Sequence, residues 1–337
     1  MAIWLLEGQS SQRDVIHAVQ QGLLFPMPVL ASHRYDRPEI TGHADIALQE
    51  PLQSKDRLPW ILDHAKQYDV SVILAGRATI QYEQHRAVFE QEGITLITGG
   101  LSVDTLEILE DKARFAQRCE QANIPVAGGW KVSNAQELRA VVEQHNQTHE
   151  LCVKPVIGIY GEGFWRLQPD LSTYACFAHP DRRQVNTEQY IAGYAALDNP
   201  KPLLVMPYLS GLEYSIDIVC EQGILIAAVA RCKDQAYQYV TISGANIELA
   251  RQVVALFHCD GLINMQTKED AHGVLHVLEI NARPSGGISY GFHAGLNLPA
   301  LCFNRRLGWQ QDFDFTNQQQ FKDNLRVRPI MSSVLLS

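Results

Sequence analysis

The 337-residue chain has no C-x-x-C pair, no block of basic residues and no apolar run long enough to cross a bilayer. Its seven cysteines stand singly inside helix-like and strand-like stretches, an odd number with no close pair. That argues against a disulfide framework and for reduced thiols in a cytoplasm. Asp and Glu outnumber Lys and Arg by 37 to 28, a formal charge of -9 that is spread along the chain. No basic stripe is interleaved with aromatics, so a nucleic-acid partner is not expected. The longest clear apolar run, residues 224–230, has the length of a buried strand and falls far short of a membrane span of about 20 residues. Residues 3–6 meet Glu7 at once and lack a basic flank, so they read as a first strand and not as a signal peptide. No G-x-G-x-x-G follows that strand, which argues against a dinucleotide pyrophosphate site there, and no G-K-[ST] excludes a Walker-type NTPase. What remains is a chain 46% hydrophobic, enough to bury a substantial core and to divide into about two or three domains.

The first hundred residues alternate strand and helix. Strands are expected at residues 3–6, 27–30, 71–75 and 94–98, and helices at 12–21, 58–68 and 79–92. In the first helix Val15, Ile16 and Val19 share one face, with Ser11 as a candidate N-cap. Strands separated by helices predict a parallel, doubly wound sheet whose ligand edge lies at the strand C-termini, near residues 8–11, 32–34, 76–77 and 98–100. Ser10, Ser11 and Arg13 either hold a small anion at a helix N-terminus or only cap and solvate it.

Helices follow over residues 102–109, 111–122 and 135–144, with a strand near 129–132. Leu151-Cys152-Val153-Lys154-Pro155 then reads as a strand ending in a lysine. After it, Gly158-Ile159-Tyr160-Gly161-Glu162-Gly163 holds three glycines in six residues, a hairpin whose backbone N–H groups can cradle phosphate oxygens. It fits a plain turn equally well. A lysine leaving an apolar run faces either solvent or a fixed anion.

Further strands are expected at residues 201–208, 213–220, 223–231 and 261–267, with a helix at 244–257 between the last two. The turn at 270–273 returns the chain antiparallel into Val277-Leu278-Glu279-Ile280-Asn281-Ala282-Arg283, and a Pro284-Ser285-Gly286-Gly287 turn ends it. Side chains in a strand alternate faces, so Glu279, Asn281 and Arg283 point one way and Leu278 and Ile280 the other. Two oxygen ligands beside a fixed cation suit a hard divalent metal carrying a phosphate chain, although an edge strand with a polar solvent face has the same pattern. The hairpin brings Gln266 or Asn264 opposite Glu279 and Asn281.

Taken in order, Asp111-Lys112, Val153-Lys154-Pro155, the three glycines, residues 206–213, Asn264-Met265-Gln266 and Glu279-Ile280-Asn281-Ala282-Arg283 resemble the ATP-grasp superfamily. The resemblance covers roughly residues 111–306. Its nearest flavour is the carbamoyl-phosphate-synthase-like carboxylate-amine ligase branch, with a weaker similarity to ATP-grasp proteins encoded with tellurite-resistance genes. It implies an α/β fold, α+β in the C-terminal part. An N-terminal domain (1–104) would precede a two-lobed ATP-grasp fold, with a small lobe at 105–190 and a metal-binding lobe and tail at 191–337. It also implies roles. Lys112 and Lys154 would contact the ATP phosphates beneath the loop of Gly158, Gly161 and Gly163. Backbone at Met206, Pro207, Tyr208 and Leu209 would pair with the adenine edge, and Glu213 would hold the ribose. Gln266, Glu279 and Asn281 would ligate one or two Mg²⁺ ions, with Mn²⁺ as a substitute, and Arg283 would sit on the transferring phosphoryl group. The implied activity is a cytoplasmic, ATP-dependent, ADP-forming ligase that turns a small-molecule carboxylate into an acyl phosphate and passes it to an amine or other nucleophile. Alternatives of the same fold are a small-acid or bicarbonate kinase or carboxylase and a non-catalytic ATP-binding regulatory module. A homodimer is the one macromolecular assembly considered, and neither nucleic acid nor membrane is implied. Three departures stand out: Met206-Pro207 in place of an acidic pair, a sparser glycine loop, and Gln266 in place of a carboxylate.

Other residues carry open readings. His145 and His149 have the i, i+4 spacing of a zinc helix but no third ligand nearby, so a solvated face is favoured. His293 either meets the second substrate or is a loop histidine. Arg231 and Lys233 either reach phosphate or substrate or lie on the surface. Cys119, Cys152, Cys220 and Cys259 read as packing residues.

Overall fold

The computed structural model describes residues 1–8, 11–158, 161–234, 236–309, 320–328 and 330. Ser10, the Ile159–Tyr160 tip of the glycine loop and most of the tail from Gln310 lie outside the described residues. The chain forms two compact units interleaved in sequence: residues 1–107, 213–266 and 280–337 make one, and residues 108–212 and 267–279 the other. This differs from the division at 104 and 190, because the chain leaves the first unit and returns to it twice.

The first unit opens with a parallel sheet of β1 (Ala2–Leu5), β2 (Val29–His33), β3 (Ile46–Gln49), β4 (Val70–Leu74) and β5 (Thr95–Ile97), in the order β3-β2-β1-β4-β5. Strand alternation divides β1 between two cores. Ile3 and Leu5 join one apolar cluster, while Ala2 and Trp4, with Leu6 beyond the strand, join the other. Both faces are thus buried, as a parallel sheet requires. The first cluster continues through Val219, Val229, Leu262 and Phe303, which explains why residues beyond 213 belong to this unit. Two asparagines lock that join. Asn304, 1% exposed, donates to Gly22 O at 2.9 Å and accepts from Leu24 N–H at 3.1 Å, and Asn297 donates to Ala18 O at 2.7 Å.

In the second unit, β6 (Trp130–Val132), β7 (Leu151–Pro155), β8 (Trp165–Gln168), β9 (Gln184–Asn186) and β10 (Leu203–Pro207) form a sheet in the order β6-β10-β7-β8-β9. Leu151 and Val153 face a core closed by the helices Ala135–His145 and Thr187–Ala195, while Cys152 faces the other side with Leu204, Met206 and Phe164. Pro207 pairs Leu151 at the very end of β10, beyond the reach of β6, so its missing N–H interrupts no ladder.

A last sheet has β11 (Glu213–Glu221), β12 (Ile224–Asp234), β13 (Tyr237–Thr241), β14 (Gly261–Glu269), β15 (Leu275–Asn281) and β16 (Leu325–Val327), in the order β15-β14-β11-β12-β13-β16. Strands β14 and β15 cross the unit boundary. Among the described residues no helix is long and apolar enough to cross a membrane.

The alternating α/β reading of the first hundred residues is borne out, with corrections. The helix expected over 79–92 is two, Thr79–Glu83 and Arg86–Gln91. Ser11 precedes the helix Gln12–Gly22, but its side chain makes no capping bond. Gln12 does the joining instead: its amide donates to Leu5 O at 3.0 Å, Leu6 O at 3.2 Å and Ser32 O at 3.2 Å and accepts from Gly8 N–H at 3.0 Å. Arg13 pairs with Asp14 at 3.1 Å.

One buried carboxylate gives this unit a pH response. Glu50, 2% exposed, accepts through Oε1 from Ser32 Oγ and Glu7 N–H, both at 2.7 Å. Its Oε2 is buried and finds no hydrogen-bond partner among the described residues. Burial pushes its pKa above the ordinary glutamate value. The folded chain therefore holds this proton to higher pH than the unfolded chain. The associated stability is full below the unfolded pKa and is lost as pH rises through the folded one. Glu50→Gln removes that loss, so its melting temperature gains on wild type as pH rises from about 5 to about 8. Thermal melts across that range check it; a difference that stays constant with pH refutes it.

Candidate functional site

In the second unit the site begins at a helix N-terminus. Asp111 caps the helix Lys112–Gln121, its carboxylate accepting from the N–H groups of Ala113 at 2.9 Å and Arg114 at 3.0 Å. That fixes Lys112 as the first helical residue. Its Nζ donates to Gly158 O at 2.7 Å and lies 3.6 Å from Glu279 Oε2, the two side chains 10% and 18% exposed. One ammonium thus ties the glycine loop to the strand that ends in Asn281.

The loop is a turn between antiparallel β7 and β8. Gly163 has φ +72°, and a Cβ there would lie 2.8 Å from Pro155 Cγ, so both backbone and space demand glycine. Gly161 has φ +65°, and its carbonyl accepts from Phe164 N–H at 3.1 Å. Residues 161–164 therefore form a built turn leading into β8.

Period two along β7 puts Lys154 on the same face as Cys152. Register pairs Lys154 with Leu204 and Cys152 with Met206. This face carries a small apolar cluster of Cys152, Val156, Leu204 and Met206, with Phe164, Tyr208 and Leu209 packed against it. Burial raises the Cys152 thiol to about 12, so it is a packing group here. Beyond β10, Tyr208 N–H donates to Glu150 O at 2.7 Å, and the Arg166 guanidinium stacks 4.0 Å over its ring.

The first unit carries the remaining candidates. Gln266 lies half-buried on β14, the neighbour of β15, and Glu213 is exposed at the start of β11. Asn264 is committed elsewhere: its amide donates to Ser215 Oγ at 2.9 Å, Ile216 O at 3.1 Å and Asp217 Oδ1 at 3.1 Å. Of the two candidates for that position, Asn264 is thus engaged with β11 and Gln266 lies two residues further along β14. The alternating-face reading needs a correction at Arg283. β15 ends at Asn281, and Arg283 N–H bonds Asn281 O at 2.7 Å across a tight turn. Arg283 is held near Asn281 by that turn and by Nη2 donating to Asn281 Oδ1 at 3.1 Å, not by strand alternation.

The C-terminal edge of the parallel sheet, expected to bind ligand, carries a charged group. Glu7, 3% exposed, accepts both Nε and Nη2 of Arg34, with Arg77 Nη1 at 3.5 Å and His33 Nε2 at 3.8 Å. Burial lowers the pKa of His33, with Glu7 opposing. Beside this edge lies a cleft lined by Gly8, Ser11, Gln12, Gly76, Arg283 and Pro284. It opens where the strand order reverses, between β1 and β4.

Gln266, Glu279 and Asn281 offer one carboxylate and two carboxamide oxygens, a donor set of the hard kind that Mg²⁺ takes together with phosphate oxygens. Among the described residues no group of three His, Cys, Asp or Glu is arranged to hold a metal. Any ion here therefore depends on the carboxamides and on its phosphate cargo.

The other candidates resolve differently. His293 is exposed in the 3-10 helix Ile288–Ala294. His145 stacks on Trp130 with ring centroids 3.8 Å apart, which accounts for it without metal. Arg231 is not on the surface; it is buried in an ion pair with Asp217 at 3.1 Å. Sequence reasoning missed Asp217, although a carboxylate inside Ile216-Asp217-Ile218-Val219 is itself a sign of a buried partner.

Comparison with known proteins places this geometry. Residues 199–332 match the family described as ATP-grasp in the biosynthetic pathway with Ter operon. The carbamoyl phosphate synthase large chain of Thermomicrobium roseum is 23% identical over 246 residues, 65% of this chain and 21% of that protein. The chain thus spans about a fifth of the length of the curated relatives it matches. Among solved structures, the biotin carboxylase domain of Hydrogenobacter thermophilus 2-oxoglutarate carboxylase, in complex with MgADP, ADP and bicarbonate, superposes with a TM-score of 0.69 at 15% identity. That match covers 96% of this chain and 73% of that one. N5-carboxyaminoimidazole synthetase from Staphylococcus aureus complexed with ADP gives 0.68 at 14% identity, covering 92% and 78%. The strand order, the glycine hairpin and these likenesses agree in supporting the ATP-grasp superfamily, in its carbamoyl-phosphate-synthase-like branch.

Proposed function

We propose that the chain is an ATP- and Mg²⁺-dependent ligase that phosphorylates a small-molecule carboxylate and transfers the acyl group to an amine or another nucleophile. The observation that carries this reading is Lys112, which joins the glycine loop at Gly158 to Glu279 with one ammonium. A phosphate chain lying along that line meets backbone N–H groups, two lysines and the metal strand together.

The adenine ring packs on the apolar face of Cys152, Leu204 and Met206, and backbone at residues 206–209 pairs with its edge. Glu213 takes the ribose hydroxyls. Lys112 and Lys154 hold the phosphates, and Gln266, Glu279 and Asn281 hold Mg²⁺, which when bound offsets phosphate charge. The acceptor acid occupies the cleft beside Arg283, at the sheet edge where Arg34 and Arg77 supply positive charge. One carboxylate oxygen of the acid attacks the γ-phosphorus and the bond to the β-phosphate oxygen breaks, giving acyl phosphate and ADP. The nucleophile then adds to the acyl carbon, loses its proton and expels phosphate. The protein's task is positioning and charge neutralisation, which dominate phosphoryl transfer. Arg283 offsets charge on the phosphoryl oxygens. The glycine hairpin excludes water from an intermediate that hydrolyses readily.

The test is ADP release from Mg²⁺-ATP against panels of carboxylates and amines. A ligase releases ADP in step with product only when both acceptors are present. Release with a carboxylate or bicarbonate alone, without a joined product, assigns a kinase or carboxylase instead. Thermal stabilisation by ATP with no ADP formed under any pairing assigns a binding module and rejects catalysis.

A further inference from the structure

We propose that Arg231 is a positioning residue for Arg283, acting through Ser285 and Gly287 of the turn that follows it. The consequence for turnover rests on the role given to Arg283 above; the structural coupling does not. Arg231 sits on β12 opposite Ser215 of β11 and is 7% exposed. Four of its five N–H directions are used. Nε donates to Asp217 Oδ2 at 3.1 Å, Nη1 to Gln238 Oε1 at 3.0 Å, and Nη2 to Ser215 Oγ at 2.9 Å and to Ser285 Oγ at 2.7 Å. Tyr290 covers the guanidinium at 5.4 Å. Asp217, 1% exposed, is steadied on its other oxygen by Asn264 at 3.1 Å. This is a rigid fork held on all three nitrogens, and a lysine cannot reproduce it.

The fork reaches across 54 residues of sequence to grip the 284–287 turn. Ser285 Oγ also accepts from Gly287 N–H at 3.1 Å. Gly287 lies close against the guanidinium: a Cβ there would come 2.3 Å from Arg231 Nη1. Its φ is -115°, which any residue adopts, so glycine is needed for space alone. Arg283 stands two residues before Ser285, with Pro284 between them restricting the backbone. The turn that aims Arg283 is therefore fixed at one end by Asn281 and at the other by Arg231. A buried ion pair is weak evidence for stability. Here its geometry serves a turn that carries a candidate catalytic arginine.

Ser285→Ala removes one grip on the turn and Gly287→Ala crowds the guanidinium against it, and both variants retain Arg231 and Asp217 themselves. Hydrogen exchange on the full chain without nucleotide should show amides of residues 282–290 exchanging roughly tenfold faster in both variants, with residues 2–6 and 203–207 unchanged. In ADP release from Mg²⁺-ATP, kcat should fall roughly tenfold with KM for ATP held within about twofold. In an Arg283→Ala background, Ser285→Ala should cause no further loss, because both act through one side chain. Unchanged exchange at 282–290 in both variants overturns the proposal, as does a fully additive loss of turnover. Failure of wild type to release ADP under any condition defeats the ligase reading instead and leaves the exchange result to decide this one.

Discussion

Glu279→Gln is expected to lower ADP release from Mg²⁺-ATP by about a hundredfold or more, with folding retained. The magnitude follows from the value of one preorganised electrostatic contact in a phosphoryl or acyl transfer site, about 3 kcal/mol. Glutamine is the informative replacement because Glu279 faces Lys112 Nζ at 3.6 Å. If holding that lysine were its whole task, the amide oxygen of glutamine would still accept from the ammonium and turnover would fall little. If it neutralises Mg²⁺, the loss of charge is decisive, since the other proposed ligands, Gln266 and Asn281, are uncharged. The site then has no carboxylate, and the Mg²⁺ concentration for half-maximal rate should rise along with the loss in kcat. Lys112 keeps its bond to Gly158 O at 2.7 Å, so the loop stays anchored and circular dichroism should be unchanged. A folded Glu279→Gln variant with wild-type turnover and Mg²⁺ dependence removes the metal-site reading.

Much of this arrangement was legible before any coordinates, and the reasons are physical. β1, β4, β7, β10 and β12 announce themselves as apolar runs bounded by turn residues, because central strands buried on both faces need nothing else. β3, β9, β13 and β16 were missed. They are short or mixed in character, with at most one fully buried residue in each, and their pairing is dictated by neighbours and not by their own pattern. The candidate site was legible as a set of residue types in order, since Lys154, the glycines and Glu279 with Asn281 sit on or beside regular elements whose periodicity fixes their facing. Two placements escaped because tertiary contacts decide them. Arg283 lies past the end of β15, where alternation no longer predicts direction. Arg231 follows an apolar strand in the manner of a surface residue, and only the partners on β11, β13 and the 284–287 turn make it a buried brace. The same contrast separates Asn264 from Gln266, two residues apart on one strand: Asn264 is spent on β11, and the proposed metal role falls to Gln266.

Arg283→Ala is the second large effect, a fall in kcat of about a hundredfold, equivalent to roughly 3 kcal/mol. The substitution removes a guanidinium that lines the cleft with Gly8, Ser11 and Gly76, so it should also weaken the acceptor acid. ATP affinity, read by thermal shift, should hold, because the residues proposed to pack on adenine and the two lysines proposed for the phosphates belong to the other compact unit. Arg283→Lys separates charge from geometry. A lysine restores the positive charge but not the planar two-pronged donor, so it should recover only part of the loss, ending roughly tenfold below wild type. The bond from Nη2 to Asn281 Oδ1 at 3.1 Å is lost in alanine, so a shift in Mg²⁺ dependence should accompany Arg283→Ala if Asn281 is a ligand that Arg283 orients. Full activity in Arg283→Lys would make the group a simple counter-charge. Full activity in Arg283→Ala would take Arg283 out of the reaction, and with it the assignment of the neighbouring cleft to the acceptor acid.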